Sequence, residues 1–88
     1  MTRFHALVEV RLRPGIADPQ GTTIERALPT LGFDDVSEVR TGKAFRLVVD
    51  AADAETARGR VEDLCRRFLT NPVIEDSVVT VEPASSAP

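Results

Sequence analysis

Between Arg3 and Arg13 the chain alternates with a period of two, "RFHALVEVRLR". Phe4, Ala6, Val8, Val10 and Leu12 fall on one side, and Arg3, His5, Glu9, Arg11 and Arg13 on the other, with Leu7 the exception. Successive side chains of a strand point to opposite faces, so this pattern specifies a strand with one buried face and one that is wet or meets a partner. Such a strand needs neighbours to form a sheet and a helix or second sheet to cover its apolar side. The rest of the chain supplies candidates for both.

"LRPGIADPQG", Leu12 to Gly21, ends the alternation. Pro14-Gly15 is a turn signal, because proline presets φ and glycine accepts positive values. Asp18-Pro19 reads as a helix N-cap followed by proline at N1, where no useful amide is lost. The helix that follows is expected to bury Ile24, Ala27, Leu28 and Leu31, an i, i+3, i+4, i+7 stripe, and Gly32 suits a left-handed C′ position. Pro29 lies inside this pattern, removes one helical bond and predicts a kink or a last turn that is not α-helical. In Val36–Asp50, Phe45, Leu47 and Val49 alternate cleanly after Gly42, while Val36 and Val39 are out of phase. A bulge or bend near Thr41-Gly42 would correct the phase, giving one long bent strand or two shorter ones. Asp53 opens a second helix, with Ala54, Ala57, Val61, Leu64, Cys65 and Phe68 inward and a favourable Glu62–Arg66 pair outside. Asn71-Pro72 ends it, Asn tolerating the left-handed conformation, and a last strand spans about Val73–Val81.

At 88 residues the chain is expected to be one domain with a thin core, for which a partner subunit would add useful burial. The order β-α-β(β)-α-β predicts an α+β, ferredoxin-like sandwich: an antiparallel sheet with two helices on one face and a long bent middle strand. The expected domain covers residues 1–82, and 83–88 are expected to form a disordered tail. The sheet's bare face carries Arg3, Glu9, Arg11 and Arg13, but Leu7 and the Val78-Val79 pair suggest that part of it meets another chain.

A net charge of −3 and four Phe without Trp or Tyr argue against nucleic acid as a partner. No apolar run approaches the ~20 residues that span a bilayer. A first segment without a signal-peptide pattern and a single cysteine suggest the cytoplasm. Cys65 and His5 could formally pair as nucleophile and base, but Cys65 sits on the apolar helix stripe, and a lone His cannot assemble a zinc site. The carboxylates Asp34-Asp35, Asp50, Asp53, Glu62-Asp63 and Glu75-Asp76 mark solvated turns or helix surface rather than an acid–base pair. "RTGKAF" lacks Walker spacing, and the arginine-bearing anion loop of acylphosphatases, which share this topology, has no counterpart after the first strand. No catalytic, cofactor-binding or metal-binding residue is therefore expected.

Three stretches in order, "LRPGIADPQG", "ALPTLGFDDVSEVRTGK" and "NPVIEDSVVTVE", carry the combination L-x-P-G-x-x-D-P-x-G, L-G-F-x-x-V-x-x-V-R-x-G-K and N-P-V-I-E-D. From about Arg3 to Glu82 the chain resembles the PurS family, the small subunit of phosphoribosylformylglycinamidine synthase. The resemblance implies a homodimer or homotetramer that is not an enzyme alone and that bridges a large synthetase subunit, which uses ATP and magnesium, to a glutaminase subunit. It further implies that Leu12–Gly21 and Arg40–Lys43 are docking loops. The interface candidates are Arg13, Asp18, Gln20, Arg40, Gly42, Lys43, Asn71, Glu75 and Asp76, with capping the competing role for Asp18 and Asn71. An ACT-like module that binds a small molecule is the alternative, supported by β-α-β order alone.

Overall fold

A computed structural model describes residues 1–84. Its elements in chain order are β1 (Thr2–Leu12), α1 (Pro19–Ala27), a 3-10 turn (Pro29–Leu31), β2 (Gly42–Ala51), α2 (Ala54–Leu64), a π turn (Cys65–Leu69) and β3 (Glu75–Pro83). The three strands form one antiparallel sheet in the order β2-β1-β3. The fold is α+β, and β1 lies at the sheet's centre, paired along both edges.

The apolar side of β1 makes the core. Phe4, Ala6, Val8 and Val10 are buried together with Ala57, Val61 and Cys65 of the second helical segment. Phe45, Leu47 and Val49 of β2 and Val79 and Val81 of β3 flank them, half-buried. Fully burying a valine stabilises by about 1.5–3 kcal/mol, so the cluster around Val8, Val10 and Val61 anchors the domain. Val79 belongs to this helix-covered side and Val78 to the open face, so the Val78-Val79 pair divides between the two faces. Leu7, Val48 and Val78 lie on the open face, with Val48 and Val78 exposed.

The Asp18 cap forms as expected, and Asp53, expected to open the second helix, serves as its cap. The Asp18 carboxylate accepts from the Gly21 amide with Pro19 at N1, and Asp53 accepts from the Thr56 amide at 2.8 Å. Pro29 stops α1 at Ala27 and opens the 3-10 turn, and Gly32 closes it at φ 92°. The second helix departs from its pattern at Cys65. There the Thr70 amide reaches back five residues to the Cys65 carbonyl, at 3.0 Å. The widened turn advances less per residue than an α-helix. Phe68 is carried off the apolar stripe to 82% exposure, and Leu69 packs on the core in its place. Ala54 and Leu64 are also exposed. Arg66 pairs with Asp63 rather than with Glu62, and Asp63 takes Arg67 as well. The helix ends in extended backbone at Thr70. Asn71 is not left-handed; its side chain accepts from the Val73 amide in an Asx turn.

Two further expectations are corrected. The middle strand begins at Gly42, because the backbone donors before it are diverted to side chains. Val39 donates to Glu25 and Thr41 to Asp18, which competes with strand pairing, and Glu38 adopts φ 57°. The α1 stripe is not buried either. Ile24, Ala27 and Leu31 are exposed, Leu28 is half-buried, and Gly21 is the one buried residue of the helix. α1 and its 3-10 turn pack little on the sheet and stand out from it as an arm. At the other limit β3 runs to Pro83, opposite Phe4, one residue past the expected domain end. Of the expected tail, 85–88 lie outside the described residues.

Candidate functional site

Antiparallel pairing brings three separate stretches to one end of the sheet, where β1 ends at Leu12, β2 begins at Gly42 and β3 begins at Glu75. Eight of the nine sequence candidates belong to the loops and strand ends that meet there. The Arg13 amide donates to the Ile74 carbonyl at 2.8 Å, and its guanidinium pairs with Asp76 at 3.2 Å. Lys43 lies 3.8 Å from Glu75. The Glu75 carboxylate also accepts from the Asn71 amide at 2.8 Å, and the Asn71 carbonyl accepts from the Ile74 and Glu75 amides. Gly42 lets β2 start against β1, since a Cβ there would stand 2.6 Å from the Val10 carbonyl oxygen. Gln20 is the exception. It is exposed at the start of α1, on the arm rather than on the sheet.

Asp18 does more than cap a helix. Only 6% exposed, its carboxylate accepts from the Thr41 amide at 2.7 Å, the Thr41 hydroxyl at 2.8 Å and the Gly21 amide at 2.9 Å. The Thr41 amide, then that of Gly21, then the Thr41 hydroxyl hold its carboxyl below the usual carboxylate range, and nearby Arg40 adds to the effect. Arg40 itself donates to the Ile16 carbonyl at 3.2 Å. The two loops singled out in the sequence are thus one structural unit, joined through Asp18. Thr41, which supplies two of the three donors, went unselected as a site residue in the sequence; a hydroxyl immediately before a strand carries no distinguishing signal. Glu25 and the Ile16 carbonyl were missed for the same reason, since their partners lie 14 and 24 residues away.

The charged groups here are mostly half-exposed, and exposed ion pairs contribute only about 0–1 kcal/mol each. They hold loop positions weakly and stay accessible to another surface. Cys65 is buried in the core and His5 lies exposed on the open sheet face, so the two do not meet. Among the described residues no group of three or more His, Cys, Asp or Glu converges to hold a metal, and no helix is long and apolar enough to cross a membrane.

Fold and site together define a small α+β domain that presents three joined loops at one sheet end and an arm with an uncovered apolar stripe. Residues 5–83 match the family model described as PurS, phosphoribosylformylglycinamidine (FGAM) synthase. The PurS subunit of Methanocaldococcus jannaschii is 39% identical over 79 residues, covering 90% of this chain and 95% of that one. Its crystal structure superposes with a TM-score of 0.81. A chain of the PurLQS structure from Thermotoga maritima, 35% identical, superposes with a TM-score of 0.86 over 93% of this chain and all of that one. The chain belongs to the PurS family of FGAM synthase subunits, proteins of purine biosynthesis.

Proposed function

We propose that this chain bridges the ATP- and magnesium-dependent synthetase subunit and the glutaminase subunit of its FGAM synthase, as a homodimer or homotetramer in the cytoplasm. Glutaminase chemistry releases ammonia, and the synthetase consumes it after activating the formylglycinamide amide oxygen by phosphorylation. Ammonia loose in water is mostly protonated, not nucleophilic in that form, and lost by diffusion. A domain that seals and positions the route between two sites keeps it neutral and local, with no reactive group of its own.

The observation that carries this reading is the gathering of Arg13, Arg40, Lys43, Asn71, Glu75 and Asp76 at one sheet end, on loops tied through Asp18. Rigid loops bearing accessible charge are suited to docking. The likeness to a chain from a PurLQS structure supports a role with partners. The test is reconstitution from synthetase, glutaminase and this chain with glutamine, ATP, magnesium and formylglycinamide ribonucleotide. Glutamine-dependent product formation should fall to background when the chain is omitted, and the chain alone should turn over nothing. Equal coupling without it would refute the proposal.

A further inference from the structure

We propose that the trough between β1 and β2, at the sheet end where the loops gather, is a socket for an acidic segment of a larger subunit, whose carboxylates it takes through Arg11, Arg40 and Lys43. The inference rests on the reading of the chain as a bridge and names the chemistry of what it grips.

The trough follows from how the two strands are paired. Arg11 stands opposite Gly42, and Glu9 opposite Ala44. Gly42 has no side chain and Ala44 only a methyl, so β2 is bare where β1 is bulky. Residues 9–12 and 40–44 line the space that is left, about 490 Å³. A site for a small molecule is enclosed and mostly apolar. This trough is half-open and lined by charge, which suits a chain segment laid across it.

Positive charge is in excess here. Three cations line the trough against one carboxylate, that of Glu9, in a chain whose net charge is −3. The cations are also under-used. Arg40 spends one nitrogen on the Ile16 carbonyl. Arg11 spends one on Glu9 at 3.4 Å, and Lys43 lies 3.8 Å from Glu75, beyond hydrogen-bond reach. A guanidinium carries its N–H donors in a fixed fork, so each arginine keeps donors without a partner among the described residues. Two parallel donors match a carboxylate, and bidentate pairs of this kind are the stronger ones.

Two other acids near these cations are already committed. Asp18 is buried, and its carboxylate accepts from Gly21 and Thr41. The Glu75 side chain is 13% exposed and accepts from the Asn71 amide. The cations are held in place as well. On either side of Arg40, the Val39 amide is bound by Glu25 and the Thr41 amide by Asp18, while Arg11 and Lys43 belong to paired strands. Groups fixed before docking lose little freedom on binding, and complementary charge selects the partner and speeds the encounter.

Lys43 is the single lysine among the 88 residues, which gives a direct test. In the complex assembled with the synthetase and glutaminase subunits, a water-soluble carbodiimide should join the Lys43 amine to an Asp or Glu of one of them as an amide, located by peptide mass spectrometry. Lys43→Arg, which keeps the charge, should lose that cross-link. Arg11→Gln/Arg40→Gln should weaken assembly by about tenfold or more and flatten its dependence on salt. Both residues are exposed, so the circular dichroism spectrum should be kept. Arg46→Gln, on the same sheet but outside the trough, should change affinity by less than about twofold. Coupling of Lys43 to Glu75 of its own chain alone would overturn the socket and leave the bridging role standing, as would unchanged affinity in the double variant. An equal loss in Arg46→Gln would reduce the effect to general charge and overturn the socket too. No assembly with either subunit would overturn the bridging role and the socket with it.

Discussion

Two glycine-to-alanine substitutions should move stability in opposite directions, and the contrast tests how the arm is rooted. In a helix interior alanine is favoured over glycine by about 1 kcal/mol. Gly59 lies within α2, and nothing stands within 4 Å of a Cβ built there. Gly59→Ala should realise most of that gain, about 0.5–1 kcal/mol, which raises Tm by roughly 2–8 °C in a domain this small. Gly21 lies within α1, but its Cβ would stand 2.5 Å from the Val39 carbonyl oxygen and 2.7 Å from Asp18 Oδ2. Ordinary contact begins nearly 1 Å further out, so Val39, Asp18 or the helix must shift. Overpacking of this kind costs about 1–3 kcal/mol, and the shift also misaligns the Asp18 bonds to Thr41. After the helical gain is offset, Gly21→Ala should be about 1–2 kcal/mol less stable than wild type, with Tm lower by roughly 4–15 °C. Thermal and urea unfolding, followed by circular dichroism at one fixed chain concentration, would measure both, since association links apparent stability to concentration. If Gly21→Ala proves as stable as Gly59→Ala, the close packing of α1 on residues 39–41 is wrong.

Asp18→Asn should change the acid limb of the stability curve. The carboxyl is held below its ordinary value of 3.8 in the folded chain, so its contribution is fully present above that value and is lost as pH falls through the lower folded one. The variant should be less stable at neutral pH and show a shallower decline below about pH 4; parallel acid-unfolding curves would contradict this. Lys43→Glu places a second carboxylate beside Glu75 and, on the proposed docking role of this sheet end, should weaken partner binding by about 1 kcal/mol, roughly fivefold in Kd. Unchanged affinity in calorimetry would remove Lys43 from the interface.

Local chemistry was legible in the sequence, and long-range satisfaction was not. The alternation of Phe4 to Leu12, the Asp18 cap, the start of the second helix at Asp53, the interruption at Pro29 and the burial of Cys65 all follow from rules that act within a few residues. The fate of Val36–Thr41 does not. Its propensity reads as strand, but Glu25 and Asp18 take its amides from 14 and 23 residues away. The α1 stripe has helical period but little of its own chain covers it, so periodicity alone assigned it to a core that it does not join. The π turn at Cys65 leaves no mark in composition, and Phe68 kept its place in a stripe that the backbone abandons. The gathering of Arg13, Lys43, Asn71, Glu75 and Asp76 at one sheet end was nonetheless within reach, because turn residues and charges cluster in three stretches that antiparallel pairing brings together.

That same pairing gives the domain a direction. Thr2 and Pro83 lie at the end of the sheet away from Arg13, Lys43 and Glu75, about 33 Å off along the 11 residues of β1. A dye, an affinity handle or a second protein grafted beyond either of these strand ends would hang clear of the charged loops, and a covalent tether there would tie this domain to a larger polypeptide while leaving those loops exposed.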